Sequence, residues 1–220
     1  MMNMRTFKAL NGLSLELKTS LGTALVMADP HIGFEVGRGI RIRTGFEERL
    51  ADFVIERDPD VLILLGDVKD PIGLNSTVRR MLETFFSRLR DFQVMVIKGN
   101  HDGRIEEVAE RYGVRVVDHA LIDGMLFVHG HRKLPRVEFS EAYLGHVHPV
   151  YNIVQGGISR SVKVFVRVGR FLILPTVNPY LDGFSVDVGL RMVPFLRDVK
   201  VVSLFLPEGV HVGSVVVDRT

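Results

Sequence analysis

Residues 61–70 read VLILLGDVKD: five unbroken aliphatic residues, Val61 to Leu65, punctuated by Gly66 and Asp67. A run so short and so apolar, with no alternation of polar residues, is the pattern of a strand buried on both faces. On its N-terminal side Phe46, Leu50, Phe53 and Val54 recur at helical spacing and stop before Asp58-Pro59, where proline disfavours helix in its predecessor. On its C-terminal side Val78, Leu82, Phe85, Phe86 and Leu89 repeat that spacing, with Asn75 or Ser76 as N-cap. Further out stand two more apolar runs, Thr23 to Ala28 ending at Asp29 and Val94 to Ile97 ending at Lys98-Gly99-Asn100. A shorter helix around Ile105, Val108 and Tyr112 is expected to close at Gly113. Strand and helix alternating in this way predict an α/β fold around a largely buried sheet.

After Val114 the texture changes to strands and turns. Strands are expected over Met125–Val128, over Val162–Val168 with its alternating valines, over Phe171–Leu174 and over Val210–Val217, while helix signals are scarce. Gly169-Arg170 between two of these runs reads as a tight hairpin. No repeat or low-complexity linker divides the chain, so residues 1–220 are read as one domain whose second half supplies another sheet.

Composition narrows the chemistry. With 46% hydrophobic and 25% charged residues the chain has material for a core, and a net charge of only +2 gives no basic stripe from which to infer nucleic-acid binding. Cysteine is absent, which removes disulfides, thiolate metal sites and a cysteine nucleophile together. The apolar runs are far shorter than the roughly 18 residues a membrane span requires. Near the N-terminus Arg5 and Lys8 are followed by Asn11, Ser14, Glu16 and Lys18, which break what would have to be an apolar signal core. The expectation is no membrane association and a cytoplasmic address.

Six of the eight histidines, His31, His101, His129, His131, His146 and His148, lie just past an apolar run, and Asp29, Asp67 and Asn100 stand in matching positions. A strand delivers the residue after it to the rim of the sheet, where ligands of open α/β sheets bind. Several strands would therefore aim these side chains at one crevice. Carboxylate, imidazole and amide oxygen form a mixed donor set suited to Mn²⁺, Fe or Zn²⁺. One carboxylate can bridge two cations about 3.5 to 4 Å apart, and Asp67 is the candidate bridge.

Five segments in order, Asp29-Pro30-His31, Gly66-Asp67-Val68-Lys69-Asp70, Gly99-Asn100-His101-Asp102, His129-Gly130-His131 and Gly145-His146-Val147-His148, resemble the ordered motifs of the calcineurin-like metallophosphoesterase superfamily. The wording around the first two is most similar to its SbcD-related, ICC-like branch, some bacterial members of which are encoded beside a DNA ligase. Leu174-Pro175-Thr176-Val177-Asn178-Pro179 and Gly183 are similar to that branch's later pattern, so the resemblance spans about Met27 to Phe184. It departs at Asp70, where the branch more often has histidine. The resemblance implies a two-sheet α/β/β/α sandwich. It also implies two divalent ions, Mn²⁺ first with Fe, Zn²⁺ and Ni²⁺ as alternatives. Asp29, His31, Asp67 and His148 would hold one, and Asp67, Asn100, His129 and His146 the other. A bridging hydroxide would attack phosphorus in line, with His101 stabilising charge or protonating the leaving oxygen and Asp70 orienting His101.

Other residues read more blandly. His131 is expected to line the site without ligating, Asp102 to cap a helix, and His119 and His211 to be ordinary surface or partly buried histidines. Gly37-Arg38-Gly39 lacks the third glycine of a dinucleotide fingerprint and reads as a mobile loop beside the metals. Arg38, Arg41, Arg43, Arg104, Arg132 and Arg136 lie next to motif residues; a guanidinium there could fork onto phosphate, but each alone reads as a surface cation. Asn178 and Tyr180 would reach substrate only if their loop folds back over the cleft. The expected substrate is a phosphodiester, either a cyclic nucleotide or a nucleic-acid end. The alternatives are a phosphomonoesterase of metabolites or phosphoproteins, and a scaffold that has lost turnover and binds a protein partner. A dimer through an unpaired strand edge is possible on this reading, but nothing in the sequence demands one.

Overall fold

The computed structural model describes residues 12–40 and 42–217. Arg41 and the reading of Arg5, Lys8 and Asn11 lie outside the described residues. A first sheet is built from β1 (Leu15–Thr19), β2 (Gly22–Met27), β3 (Val61–Leu64), β4 (Gln93–Ile97) and β5 (Arg115–Val117), hydrogen-bonded in that order. β1 and β2 are antiparallel, and β2 to β5 run parallel. The crossovers are the helices Phe46–Arg57 and Ser76–Arg88 and the short turns Glu106–Ala109 and Glu110–Tyr112, the last closed by Gly113 at φ 70°. Asn75 caps the second helix: its side chain accepts from the amides of Thr77 and Val78 at 3.0 and 2.9 Å, a contact typically worth about 1 kcal/mol.

The second half adds β6 (His119–Ile122), β7 (Met125–Val128), β8 (Glu141–Leu144), β9 (Pro149–Gln155), β10 (Ile158–Lys163), β11 (Phe165–Val168), β12 (Phe171–Ile173), β13 (Phe184–Ser185), β14 (Val201–Phe205) and β15 (His211–Val216). Seven of them form a mixed sheet in the order β15-β14-β11-β12-β8-β7-β6, and β10-β9-β13 form a small sheet of their own.

Strand pleating sorts the apolar residues into layers, because successive side chains point to opposite faces. Leu25, Met27, Leu62, Leu64, Val94 and Val96 meet the two long helices, while Ala24, Val26, Val61, Ile63, Met95 and Ile97 pack against Phe127, Tyr143 and Phe165 of the second sheet. The outer face of that sheet, Leu126, Leu144, Val166 and Leu204, is covered by Val186, Leu190 and Leu196. This is the α/β/β/α sandwich expected from the sequence. Among the described residues no helix is long and apolar enough to cross a membrane.

Two expectations are corrected. The single strand expected over 162–168 is broken at Val164, whose amide donates to Pro149 O at 3.1 Å. The residues before it pair with β9, and those after it with β12 and β14. Alternating valines report which face is buried, and that face persists through the break while the hydrogen-bonding partner changes. The second half also contains a helix, Val186–Arg191, hidden from periodicity by its six-residue length and by Gly189, where a Cβ would stand 2.4 Å from Val147 Cγ1.

Candidate metal centre

The candidate donors sit at the C-terminal ends of β2, β3, β4, β7 and β8 or in the turns that follow. The structure brings them into adjoining groups. In one, Asp29, His31 and His148 place a donor atom each within 4.8 Å of one another; in the next, Asp67, His129 and His146 do the same. Asp67 stands between them, its Oδ2 3.8 Å from His31 Nε2 and 3.3 Å from His129 Nε2. Asn100 Oδ1 lies 3.2 Å from His129 Nε2, so the amide joins the second group.

The backbone is bent to achieve this. Asp29, His31, Asp67, His146 and His148 have φ between 44° and 67°, five of the eight non-glycine residues with positive φ among the described residues. Each costs about 1 kcal/mol or more relative to a right-handed conformation, and such residues cluster where geometry serves function. The motif glycines make room for the carboxylates. A Cβ on Gly99 would lie 2.2 Å from Asp67 Oδ1, and one on Gly145 2.6 Å from Asp29 Oδ2.

The electrostatics suit a cation. Asp29 is fully buried; its Oδ2 accepts from the His146 amide at 2.8 Å, and its Oδ1 has no hydrogen-bond partner. A buried carboxylate oxygen without a donor is strongly unfavourable unless a cation meets it. His129 Nδ1 donates to Leu65 O at 2.8 Å, which orients the ring so that Nε2 faces Asp67 and Asn100. Burial disfavours charge on His129, yet Asp67 and Asp29 overcome it and raise the imidazole to about 9: these carboxylates demand a positive charge between them. Burial opposes ionisation of Asp67 as well, but His129 beside it holds the carboxyl well below its usual range. Burial pushes His31 and His146 down to about 4, leaving neutral imidazoles with lone pairs available for a metal. The residues present therefore fit a pair of divalent cations.

His101 stands over this floor, its side chain 31% exposed. Its amide donates to Asp67 Oδ1 at 2.7 Å and its Nδ1 meets Asp70 Oδ1 at 2.8 Å, a hydrogen bond that raises its pKa. His31 Nδ1 is 4.0 Å from the same Asp70 oxygen, so His31, Asp70 and His101 form a third convergent group.

Several supports were missed from sequence. Lys69, fully buried, donates through Nζ to the carbonyls of Pro71, Ile72 and His101 at 2.9, 2.6 and 2.6 Å. Lys69→Met is expected to lower the unfolding free energy by about 1 to 3 kcal/mol, since these acceptors lose their donor; an unchanged urea midpoint and slope would show the clamp to be irrelevant. Asp102 does not cap a helix. Buried completely, it accepts from the amides of Val68 and Gly99, both at 2.8 Å, and so ties the turn after β3 to the turn after β4. The loop after β12 does fold back, but onto the backbone of the first motif: Thr176 Oγ1 donates to Asp29 O at 2.7 Å and Asn178 Nδ2 to Pro30 O at 2.8 Å. Buried Asn178 thus positions donors, and Tyr180 receives a hydrogen bond from Arg49 at 2.7 Å. A signal was available, since Thr and Asn beside proline in a buried apolar run need a polar partner.

The remaining expectations sort plainly. His131 lies 5.1 Å from His129, ring to ring, and belongs to none of the convergent groups. His119 and His211 are exposed. Residues 34–37 form a helical turn, and Gly37 packs where a Cβ would meet Asp70 Oδ2. Arg43, Arg104 and Arg132 pair with Glu47, Glu107 and Asp118, and Arg38 lies over the Phe34 ring.

The family model for calcineurin-like phosphoesterases matches residues 22–188. Among solved structures, the nuclease MPE of Pseudomonas putida is similar at 22% identity and a TM-score of 0.65, over 90% of each chain. YfcE, a phosphoesterase from E. coli, is similar at 13% identity and a TM-score of 0.43, over 89% of this chain and 99% of that one. No significant match was found among curated proteins.

Proposed function

The chain belongs to the calcineurin-like phosphoesterase family and is a metal-dependent hydrolase of phosphoric esters; from that premise we propose that it cleaves phosphodiesters, cyclic nucleotides or nucleic-acid ends, with two divalent ions of which Mn²⁺ is the first choice. The observation that carries this reading is Asp67 standing between two groups of donors, one of which contains a buried carboxylate oxygen that accepts no hydrogen bond. Asp29, His31, Asp67 and His148 would hold one ion and Asp67, Asn100, His129 and His146 the other. Bound there, the cations would supply Lewis acidity and an acidified water for in-line displacement at phosphorus.

The chain's own groups do the rest. His101, with Nδ1 engaged by Asp70, presents Nε2 to the substrate; Asp70 favours the imidazolium, so Nε2 carries a proton for a phosphoryl or leaving oxygen. Lys69 and the Asp67 carboxylate fix the backbone of His101 from both sides. A diester needs room for a substituent on each side of phosphorus, and a cavity opens beside His129. The fold likeness to a nuclease is compatible with a nucleic-acid substrate. The proposed domain is the whole chain, since the two sheets share one buried layer, and the proposed address is cytoplasmic.

Metal analysis with a substrate panel tests this. The expected result is two ions per chain, hydrolysis of bis(4-nitrophenyl) phosphate faster than of 4-nitrophenyl phosphate by about tenfold or more, loss of turnover on chelation and its return with Mn²⁺. A preference for the monoester would assign a phosphomonoesterase, and no metal with no hydrolysis would assign a scaffold. Because a ligand that binds only the folded state stabilises it, Mn²⁺ should also raise the melting temperature of the chelated protein.

A further inference from the structure

Beside the donors lies a cavity of about 200 Å³ whose inner wall includes His129 and His131. Val128, Leu134, Pro135 and Phe195 make its apolar side, and Arg132 and Lys133 also line it. Phe195 is half-buried and braced: its ring stands 5.4 Å from that of Phe171, which stands 5.8 Å from Phe139, and Arg170 lies 3.8 Å over the Phe139 ring. Nδ1 of His131 is buried with no hydrogen-bond partner. Among the described residues the Arg132 side chain pairs with Asp118 at 2.8 Å, and both members of the pair are more than 60% exposed, so the guanidinium can exchange it at little cost.

A small cavity lined by a braced aromatic, an imidazole ring and two cationic side chains against the single carboxylate of Asp118 has the chemistry to take one planar heterocycle attached to phosphate. It adjoins the centre through His129, a proposed metal donor that also lines the cavity. We propose that this cavity is a nucleoside subsite: the base flanking the scissile phosphate packs on Phe195 beside the His131 ring, and Arg132 and Lys133 face the next phosphate of the chain. The proposal rests on the phosphodiesterase reading and names the group that this enzyme would hold on one side of phosphorus. Every base has a stacking face, so such a pocket favours nucleotides over other esters without strong choice among bases.

The test compares calorimetric binding of thymidine 5′-monophosphate and inorganic phosphate to the Mn²⁺-loaded protein, alongside hydrolysis of ethyl 4-nitrophenyl phosphate, a diester with nothing to stack. The wild type is expected to bind the nucleotide at least about tenfold more tightly than phosphate. Phe195→Leu, which keeps the packing on Phe171, should shrink that preference by about fivefold or more, and the double variant Arg132→Ala/Lys133→Ala should abolish the extra affinity that thymidine 3′,5′-bisphosphate, which carries the next phosphate, shows over the monophosphate in the wild type. Phosphate affinity and ethyl ester hydrolysis should stay within about twofold of wild type, because neither reports on the cavity. Equal affinities for nucleotide and phosphate in the wild type would overturn the subsite, as would a parallel loss of phosphate binding in Phe195→Leu. Absent ethyl ester hydrolysis with an intact nucleotide preference would overturn the phosphodiesterase reading and leave the subsite standing.

Discussion

An Asp67→Asn variant is expected to fold, to lose most of its bound metal and to hydrolyse bis(4-nitrophenyl) phosphate at least about a thousandfold more slowly than the wild type. The substitution is nearly isosteric. Its remaining oxygen can still accept from the His101 amide, the contact now made by Oδ1 at 2.7 Å. What disappears is the charge and the second oxygen, the atom that lies 3.3 Å from His129 Nε2 and 3.8 Å from His31 Nε2. With an amide nitrogen there, a hydrogen-bond donor faces two imidazoles and no carboxylate remains between the donor groups. Metal content per chain, rate and circular dichroism on the same preparation separate this outcome from misfolding. A folded variant with two ions and a wild-type rate would remove Asp67 from the mechanism.

His101→Ala is expected to do something different: kcat should fall by about 10² to 10⁴ with metal content unchanged. The deeper imidazoles face carboxylates inside the protein, whereas His101 is half-buried at the surface of the site with Nδ1 committed to Asp70. If its task is to protonate the leaving oxygen, the loss should be larger for a dinucleotide, which expels an alkoxide, than for a 4-nitrophenyl ester, whose leaving group needs no proton. An equal loss on both assigns His101 to charge stabilisation at a phosphoryl oxygen. Asp70→Asn should fall between wild type and His101→Ala, because it leaves the imidazole in place and weakens its hold on the proton. Loss of metal from His101→Ala would make His31, Asp70 and His101 a third ligand group and overturn the role proposed here.

Unlike the edge strands β1, LELKT, and β5, RVV, the central strands β2, β3 and β4 were readable in the sequence, because each is an apolar run that ends in a polar turn. The helices before and after VLILLGDVKD were equally plain, for their buried stripes fall at helical spacing and Asn75 caps the second. The second half was harder. Its strands are short, one valine ladder is shared between two sheets, and strands such as Glu141–Leu144 carry too few residues to show a period. For the site, candidate donors could be singled out because metal chemistry restricts residue types, whereas the groups that position them could not. Lys69 looks like any lysine inside a turn, and only burial reveals that it gathers four carbonyls, that of Gly73 among them. Asp102 follows His101 in a motif, and what it joins, Val68 to Gly99, depends on adjacency across the sheet.

The left-handed turns beneath Asp29, His31, Asp67, His146 and His148 bear on how such a protein ages in evolution. Glycine at any of these positions relieves torsional strain, and at Asp29 it also removes a buried carboxylate oxygen that accepts no hydrogen bond, at the expense of the bond from the His146 amide. If these side chains serve turnover as proposed, selection for activity is what keeps them on strained backbone, and descendants freed from it should drift toward less strained, silent forms.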